Sequence, residues 1–336
     1  MIRLKDIALK AGVSVMTVSK VLRDAPDISS ATKTRIRALA QQMGYTPDAV
    51  AQGLRTRTTK LLGLLIPSVA DPISARMVLA IEERAYDFGY DLILAQSQNS
   101  IEREESILRR LMARRVDGLF VVPVYRHSQS CLVYNELAER KIPTVVLGHK
   151  PHFAEQFINV ETDDIRSSQL VTEHLLELGH RQIAFFAGPS VSPASAERIE
   201  GYRRALREAN LDADDRLIFT AGNTIEEGAS AVLQMLNEGL KPTALQSASD
   251  LSAIGAASVL LRQGWRIPAD IAVAGFGNVL MAEYFAAPLT TVRQPKFRLG
   301  AAAVEIMQKL LKSEPAESRR LEAELIVRAS TLPARN

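Results

Sequence analysis

The spacing of apolar residues predicts three short helices at the start of the chain. The first is outlined by apolar residues that recur on one helix face, Leu4, Ile7, Ala8 and Ala11. Gly12 is expected to end this helix, because glycine tolerates the left-handed backbone that often follows a helix. Ser14 and Ser29 are placed to cap a second and a third helix, and Gly44 closes the third.

From Leu61 onward, apolar stretches typical of buried strands alternate with amphipathic helices. The predicted strands are 61–66, 91–95, 117–122, 144–147, 182–187, 243–246 and 271–274. The predicted helices lie near 74–88, 102–114, 130–140, 163–178, 195–209, 225–238 and 251–263. This alternation indicates parallel sheets with helices on both faces, and the span is large for one sheet. We therefore predict an α/β body of two similar subdomains with a cleft between them, preceded by a small all-α head.

Composition indicates a globular protein of the cell interior, and 336 residues allow two or three domains. The single cysteine, Cys131, excludes an intramolecular disulfide and does not support a cysteine metal cluster. No apolar run is long enough to span a bilayer, and the amphipathic start lacks the apolar core of a signal peptide. A cytoplasmic location without a membrane partner is expected.

Positive charge is concentrated in the first sixty residues. They contain eleven Lys or Arg and four Asp, whereas the formal net charge of the whole chain is only +3. The rest of the chain is therefore mildly acidic. A small basic unit beside an acidic body is typical of a nucleic-acid-binding head, although a basic solvated face would give the same asymmetry.

The first two helices contain a motif with specific spacing. Ala8 is a small residue where the helices cross, Gly12 forms the turn, and Val18 is a β-branched residue of the shared core. The run from Leu4 to Leu22, LKDIALKAGVSVMTVSKVL, closely resembles the amino-terminal signature of the lactose/galactose repressor (LacI/GalR) family of bacterial transcription factors. The similarity continues in segments along the chain, at 44–47, 49–54, 116–119, 178–184, 201–202, 267–268 and 289–292.

This resemblance implies a helix-turn-helix head at 1–46, a hinge helix and linker at 47–60, and an effector-binding and dimerisation domain at 61–336. The body would have the fold of periplasmic sugar-binding proteins, with one subdomain at about 61–160 plus 293–319 and the other at about 161–290 plus 320–336. A small-molecule effector, by family expectation a sugar, would bind between them. The homodimer would bind a pseudo-palindromic operator in double-stranded DNA and act as a repressor.

Residues at the start of the second helix are the expected DNA contacts. The major groove, about 12 Å wide, admits one helix whose first turn faces the base edges. By resemblance, bases are contacted by Val15, Met16 and Lys20. Phosphates are contacted by the hydroxyls of Ser14, Thr17 and Ser19. Lys20 stands where arginine is usual, which keeps a cation but weakens the case for a bidentate guanine contact. The alternative is that Val15 and Met16 belong partly to the core and that Lys20 is only solvated.

Residues 48–55 form a candidate hinge helix, followed by a polar linker. A helix this short is marginal by itself, and Gly53 costs about 1 kcal/mol more, so it should become ordered only on DNA. By resemblance it enters the minor groove, where Leu54 wedges between bases and Ala51 and Arg55 flank it. The alternative is that Leu54 anchors the linker on the body.

The resemblance also implies effector contacts in the body, at Asp71, Tyr125, Arg198, Ser249 and Asp250. Arg198 would fork onto ligand hydroxyls or carboxylates, the alternative being a surface salt bridge. Ser249 replaces the asparagine that usually precedes Asp250, and Asp250 has the alternative role of capping the helix that follows it. Asp71 opens a loop over 71–74 that faces the cleft. Tyr125 either stacks on the ligand or covers a helix end.

At two positions this chain has glycine where sugar-responsive members of the family often have another residue. Gly148 and Gly277 stand where many family members carry aspartates that hold sugar hydroxyls. Fewer acids imply fewer hydroxyls held, although a sugar is still the family expectation for the effector.

Two other classes of protein share parts of this pattern. A ligand-binding protein of a transport system shares the body, but it needs a signal peptide and leaves the head unexplained. A cytoplasmic sugar-processing enzyme is disfavoured because no paired carboxylates or nucleophile–base set is apparent. The segment from Gly275 to Gly277 lacks the third glycine of a dinucleotide loop, and His149 and His152 are too sparse for a metal site. We therefore predict no enzymatic activity, no cofactor and no metal.

The basic head predicts DNA binding that weakens steeply with salt. Two symmetric heads should contact on the order of 6–10 phosphates, so raising the salt from about 50 to 200 mM should weaken binding roughly a thousandfold or more. Titration of labelled operator DNA at several salt concentrations measures this slope. A flat response would contradict the assignment of DNA binding to the basic head.

Overall fold

The computed structural model describes residues 2–45 and 58–332. Contacts between Cα atoms divide the chain into two compact units, Met1–Thr59 and Lys60–Asn336, and each is described by itself. We call them the head and the body. The candidate hinge helix lies outside the described residues.

The described head consists of three helices packed on one small core. Helix α1 spans Leu4–Ala11, α2 spans Val15–Leu22 and α3 spans Ser30–Gln42. Gly12 follows α1 with φ 67°, and the hydroxyls of Ser14 and Ser29 accept hydrogen bonds from the first turns of α2 and α3, as the sequence predicts. The fully buried core residues are Ile7, Ala8, Val18, Val21, Ile36 and Ala40.

The body is built from strands that alternate with helices. Its strands are β1 Leu61–Ile66, β2 Asp91–Gln96, β3 Gly118–Val121, β4 Thr144–Leu147, β5 Ile158–Thr162, β6 Ile183–Ala187, β7 Ile218–Thr220, β8 Ala244–Ser247, β9 Ala272–Phe276, β10 Thr290–Arg293, β11 Arg319–Leu321 and β12 Glu324–Ile326. Its α-helices are α4 Pro72–Asp87, α5 Ile101–Ala113, α6 Leu132–Glu139, α7 Asp164–Glu177, α8 Pro193–Glu208, α9 Ile225–Asn237, α10 Asp250–Arg262, α11 Leu280–Tyr284 and α12 Lys296–Leu311. Two single-turn 3₁₀ helices lie at His152–Ala154 and Asp215–Leu217.

The strands form two six-stranded sheets. The first has the order β11-β5-β4-β3-β1-β2 and is parallel throughout. The second has the order β12-β10-β9-β8-β6-β7, and in it only the pairing of β12 with β10 is antiparallel. Successive residues of a central strand enter opposite cores: Leu64 and Leu65 of β1 belong to different buried clusters. Both faces of the sheet are therefore covered, as expected for continuous apolar strands.

The chain passes between the two sheets three times, after Thr162, Arg293 and Leu321. Helix α12 packs on α4 and on strands of the first sheet, so it belongs to that subdomain. The expected subdomain boundaries after residues 160, 290 and 319 thus fall inside β5, β10 and β11. The ends of these strands place each boundary two or three residues later. The resemblance implied these boundaries only approximately, and the strand ends of the two sheets refine them by those few residues.

Several strands are absent from the sequence prediction, namely β5, β7, β10, β11 and β12. Strands β7, β11 and β12 have three residues each, which is too short for a periodic signal. Strand β10 reads Thr-Thr-Val-Arg, and its β-branched residues suit a strand, but the segment lacks the apolar run by which the other strands were predicted. Helix α12 was also not predicted. These strands are recognised only from the sheets that they complete, and α12 only from its packing on the first sheet.

Close packing of α7 on α8 positions the residues described below. A Cβ atom added at Gly201 of α8 would lie 2.2 Å from the Ile165 carbonyl oxygen of α7, so the absence of a side chain lets the two helices meet. Asp164 begins α7 and Arg198 lies on α8. Their separation therefore depends on this glycine.

No helix within residues 2–45 and 58–332 combines the length and apolarity needed to cross a membrane.

Candidate functional site

The start of α2 presents an exposed apolar surface. Val15 is 45% exposed and Met16 is 64% exposed, whereas Val18 and Val21 on the opposite face are fully buried. Val15 and Met16 therefore do not belong to the head core, which argues against the alternative considered for them. Exposed apolar side chains at a capped helix start are available for contact with a partner surface.

The hydroxyl groups near this surface are partly engaged within the head. Ser14 Oγ accepts a hydrogen bond from the Thr17 backbone N–H at 3.0 Å and lies 2.9 Å from Thr17 Oγ1. The Ser14 hydroxyl thus caps α2, and the Thr17 hydroxyl is paired with it. Ser19 is half-buried, and its carbonyl oxygen accepts a hydrogen bond from Arg23. A hydroxyl that caps a helix can still share its remaining lone pair or proton with a second partner.

Lys20 is ion-paired rather than simply solvated. Its Nζ lies 2.5 Å from Asp27 Oδ2, and both side chains are substantially exposed. Hydrogen bonding by Lys20 keeps the pKa of Asp27 below its usual value. An exposed pair of this kind is weak, so a base or phosphate could displace Asp27 at little cost. Asp27 therefore holds the lysine without preventing its use.

A second carboxylate in the head organises two more cations. Asp24 pairs with Lys33 at 3.1 Å and with Arg37 at 2.6 Å, and hydrogen bonds from these two cations lower its pKa. The hinge residues Ala51, Leu54 and Arg55 lie outside the described residues.

The body contains a cavity of about 480 Å³ between its two subdomains. Its lining comes from the carboxyl ends of strands in both sheets, including Ser68 after β1, Gly188 after β6 and Ser249 after β8. The crevice at strand carboxyl ends is where open parallel sheets bind ligands. A larger groove of about 640 Å³ follows the outer face of α5, but it is open and that helix alone lines it. We therefore take the inter-subdomain cavity, called the cleft, as the candidate ligand site.

Arg198 is the one cation among the described residues that line the cleft. Its guanidinium donates to the Ala248 carbonyl oxygen at 2.6 Å and to Asp164 Oδ2 at 3.1 Å. It also stacks on Phe276, with its central carbon 3.8 Å from the ring centroid. Within the described part of the chain, its Nε has no hydrogen-bond partner. Because Asp164 is buried, this is not the surface salt bridge considered as an alternative.

The two carboxylates that line the cleft are already engaged. Asp71 accepts hydrogen bonds from the Ile73 and Ser74 backbone N–H groups and from the Ser74 hydroxyl, so it caps α4. The expected 71–74 loop is therefore wrong: an Asp cap followed by Pro72 starts a helix.

Asp250 lines the cleft but does not cap its own helix. Its carboxylate accepts from the Val279 backbone N–H at 2.8 Å and from the Thr291 hydroxyl at 2.5 Å. Burial raises its pKa above the usual range. Ser249, which also lines the cleft, occupies the cap position of α10 without a side-chain cap bond. Asp250 therefore ties α10 to the second sheet instead of capping the helix.

Tyr125 does not line the cleft. Its hydroxyl donates to the His149 carbonyl oxygen at 3.0 Å, and burial, followed by the charge of Asp164, raises its pKa. It thus packs at the end of β4, and the structure gives no support for either stacking on a ligand or covering a helix end. Gly148 and Gly277 have φ values of 98° and 132°, a region that disfavours any side chain. The backbone at both positions is therefore incompatible with the usual aspartates without rearrangement.

A cluster of ion pairs that the sequence did not reveal bridges the subdomains beside the cleft. His149, after β4, has Nε2 3.0 Å from Glu197 Oε2 of α8 and 3.9 Å from Asp164 Oδ2. Arg320 of β11 lies 2.5 Å from Glu197 as well. Two cations of the first subdomain thus face two carboxylates of the second. The available signal was the pair of aspartates at 163–164, at the start of a predicted helix.

The protonation of His149 is governed by this cluster. Burial by itself disfavours the imidazolium, but the contact with Glu197 and the charge of Asp164 outweigh it and raise the pKa of His149. His149 also lowers the pKa of Glu197, against the effect of burial. The cluster is therefore most strongly attractive when the imidazole is protonated. Among the described residues, no group of three or more His, Cys, Asp or Glu side chains is arranged to hold a metal ion.

Comparisons with known proteins agree with this arrangement. Residues 3–48 match the family described as bacterial regulatory proteins, lacI family, and residues 172–331 match a periplasmic binding protein-like domain. The HTH-type transcriptional repressor PurR of Vibrio atlanticus (strain LGP32) is 34% identical over 339 residues, covering 100% of both chains.

Solved structures cover nearly the whole chain as well. The Lac repressor dimer bound to operator and the anti-inducer ONPF is 28% identical with a TM-score of 0.87, covering 99% of each chain. A complex of the transcriptional regulator CelR with cellobiose is 30% identical with a TM-score of 0.75, covering 98% of this chain and 100% of that one.

The raised pKa of His149 predicts a pH-dependent contribution to stability. A pKa above the unfolded value of 6.5 means that the contribution is complete below about pH 6.5 and is lost as the pH rises through the folded-state pKa. His149→Gln should therefore lower the melting temperature most at or below pH 6.5, with a shrinking difference at higher pH. His152→Gln, which removes a highly exposed imidazole, is the matched control. A His149→Gln deficit that grows with pH would contradict this account.

Proposed function

Because the chain belongs to the lacI family of bacterial regulatory proteins, it is a DNA-binding transcriptional repressor and not an enzyme, and we propose how its residues divide the work. The head reads an operator in the major groove, and the cleft binds the small-molecule effector that controls operator binding. Acting on bacterial DNA, the protein works in the cytoplasm. The observation that carries the proposal is the exposed pair Val15 and Met16 at the capped start of α2.

In this proposal the head contacts bases through Val15, Met16 and Lys20. The two exposed apolar side chains suit thymine methyl groups, and Lys20 suits a guanine edge once it leaves Asp27. Ser14, Thr17 and Ser19 contact phosphates. Ser14 and Thr17 lie at the positive end of α2, which favours anions, whereas Ser19 lies further along the helix. Leu54, flanked by Ala51 and Arg55 in the hinge at 47–60, wedges into the minor groove between the half-sites.

The dimer that two half-sites require is formed by the body. Exposed apolar residues lie on the edge strand β2 and the end of α4, at Tyr86, Phe88 and Leu94. A second exposed group lies on α11, at Leu280, Met281 and Tyr284. Exposed apolar groups on both subdomains are suited to a two-fold interface that covers each edge with its own copy.

The cleft favours a ligand that accepts hydrogen bonds. Asp71 and Asp250 are committed to protein donors, and the backbone disfavours aspartates at the two glycines, which leaves Gln294 Oε1 as a buried acceptor of the cleft lining without a partner among the described residues. Arg198 Nε and the Ser195 hydroxyl are buried there and have no hydrogen-bond partner among the described residues. A sugar derivative that presents a carbonyl, carboxylate or ether oxygen to this side of the cleft would satisfy them.

Asp164 links the ligand to the arrangement of the subdomains. Its carboxylate is shared between Arg198 in the cleft and His149 of the other subdomain. A ligand oxygen that binds Arg198 changes how strongly Asp164 is held, and therefore how strongly it attracts His149. The ligand thus distinguishes between arrangements of the subdomains, which is what a switch requires. The spacing of the two β1 strands in the dimer then decides whether paired hinge helices form on DNA.

The DNA contacts are tested by Lys20→Ala, compared with Lys33→Ala. Lys20→Ala should relax base preference at one or two symmetric operator positions, each worth about 1–3 kcal/mol. Lys33 lies on α3 and is paired with Asp24, which follows the end of α2. Loss of the Lys33 side chain should leave the preferred operator sequence unchanged. Binding-site selection from random DNA measures both. An unaltered preference for Lys20→Ala would remove this residue from the base contacts.

The effector contact is tested at Arg198. Arg198→Ala alone would leave the buried Asp164 carboxylate poorly compensated, so the variant is combined with Asp164→Asn. Without effector, the double variant should still bind operator specifically, but loss of the Asp164 charge also removes its attraction for His149, so effector binding is measured directly by thermal shift beside the operator titration. The double variant should lose the roughly 5- to 150-fold effector response that is typical of such coupling. Operator titration with and without a ligand from a thermal-shift screen of sugar derivatives measures this, with Arg203→Ala on the exposed face of α8 as control. A full response in the double variant would place the effector elsewhere.

A further inference from the structure

A second cavity of about 320 Å³ lies where the chain returns from the second sheet to α12. Both subdomains contribute to it: Arg76 comes from α4, Lys296 and Arg298 from the start of α12, and Arg293 from the end of β10. Among the described residues, no aspartate or glutamate lines it. Four cations therefore converge on one concave surface, which concentrates positive potential there.

These cations are poorly compensated within the described chain. Arg293 has one distant ion pair, 3.6 Å from Glu324, and both partners are largely exposed. No carboxylate of a described residue lies within 4.0 Å of the charged nitrogens of Arg76, Lys296 or Arg298. Such mutual repulsion is unfavourable unless an anion neutralises it.

Lys296 is the most unusual member of the group. Its residue is only 9% exposed, and the one hydrogen bond from Nζ, to the Asn278 carbonyl oxygen, is long at 3.5 Å. Burial lowers its pKa, while Asp250 and Asp71 oppose this from beyond 4.0 Å. A buried ammonium with one weak acceptor is costly. A bound anion would supply the countercharge that the described residues do not place within 4.0 Å of Lys296 Nζ.

The first turn of α12 adds neutral donors to the same place. The backbone N–H groups of Phe297 and Arg298 donate to no described group, and the cap residue Pro295 offers no side-chain acceptor. Free N–H groups at a helix start, together with the helix dipole, bind anions. Leu79 and Phe297, which are both substantially exposed, form an apolar rim.

We propose that this cavity, which adjoins the cleft and shares Gln294 with it, is an anion-binding site of its own. It takes a phosphate dianion, either free or as the monoester of a small metabolite. Arginine forks and backbone N–H groups match the three terminal oxygens of a phosphate, and Lys296 supplies the buried countercharge. Arg293 and Asn278 belong to the second subdomain, whereas Arg76, Lys296 and Arg298 belong to the first. An anion that binds both groups of residues therefore favours the arrangement of the subdomains in which these groups face each other.

The test is calorimetric titration of the full-length dimer at constant ionic strength with inorganic phosphate, with glycerol 3-phosphate, and with glycerol as the uncharged control. Wild type should bind both phosphates and not glycerol. Arg76→Gln/Arg298→Gln should weaken phosphate binding about tenfold or more. Lys296→Met should have a similar effect, and a circular dichroism melt confirms that each variant folds.

Two controls separate this site from other sources of binding. Arg109→Gln/Arg110→Gln on the exposed face of α5 removes the same charge and should leave phosphate binding unchanged. Arg198→Ala/Asp164→Asn should also retain it, so failure of the cleft proposal does not decide this one. Clearly tighter binding of glycerol 3-phosphate would identify a metabolite ester as the ligand, and equal affinities would identify phosphate itself.

Three outcomes would overturn the proposal. They are an absence of phosphate binding by wild type, equal losses in the α5 control, and a change of oligomeric state in Arg76→Gln/Arg298→Gln without any change in phosphate affinity. The last would mean that an acidic side chain of a second copy fills the cavity.

Discussion

The buried carboxylate of Asp164 is the interaction on which the regulatory architecture depends. It is 1% exposed, and burial raises its pKa even though Arg198 and His149 face it. A carboxylate in this position is tolerable only if cations from both sides remain close. Arg198 reaches it from within the same subdomain and His149 from the other. The requirement to compensate one charge thus connects the ligand cleft with the junction between the subdomains.

The fold supplies the mobility that such a connection needs. Three crossings of the chain join two sheets whose cores are separate, so the subdomains share few apolar contacts and are held largely by polar groups. Polar contacts such as the one between Arg320 and Glu197 can be exchanged without exposing a core. In the proposed function, these exchangeable contacts and the three crossovers are where a ligand in the cleft would change the spacing at the start of β1.

The sequence by itself determined the elements whose signals are local. Apolar spacing and capping serines fix the head helices, and long apolar runs fix the central strands, because these features need only neighbouring residues to be energetically consistent. The motif from Leu4 to Leu22 identified the family for the same reason: a small helical head leaves few alternatives for its core and turn. Arg198 was also recognised, because its position beside Gly201 and Tyr202 is part of a local motif.

Only the tertiary structure decided which polar groups face one another. Asp250 resembled a helix cap in sequence, yet its partners are Val279 and Thr291, about thirty and forty residues later. His149 looked like an incomplete metal ligand until folding placed it beside Glu197. The short strand β11, Arg-Arg-Leu, likewise exists because a neighbouring strand offers hydrogen bonds, not because its own residues favour extension. Contacts between distant residues depend on the packing of whole elements, which no local pattern of residues encodes.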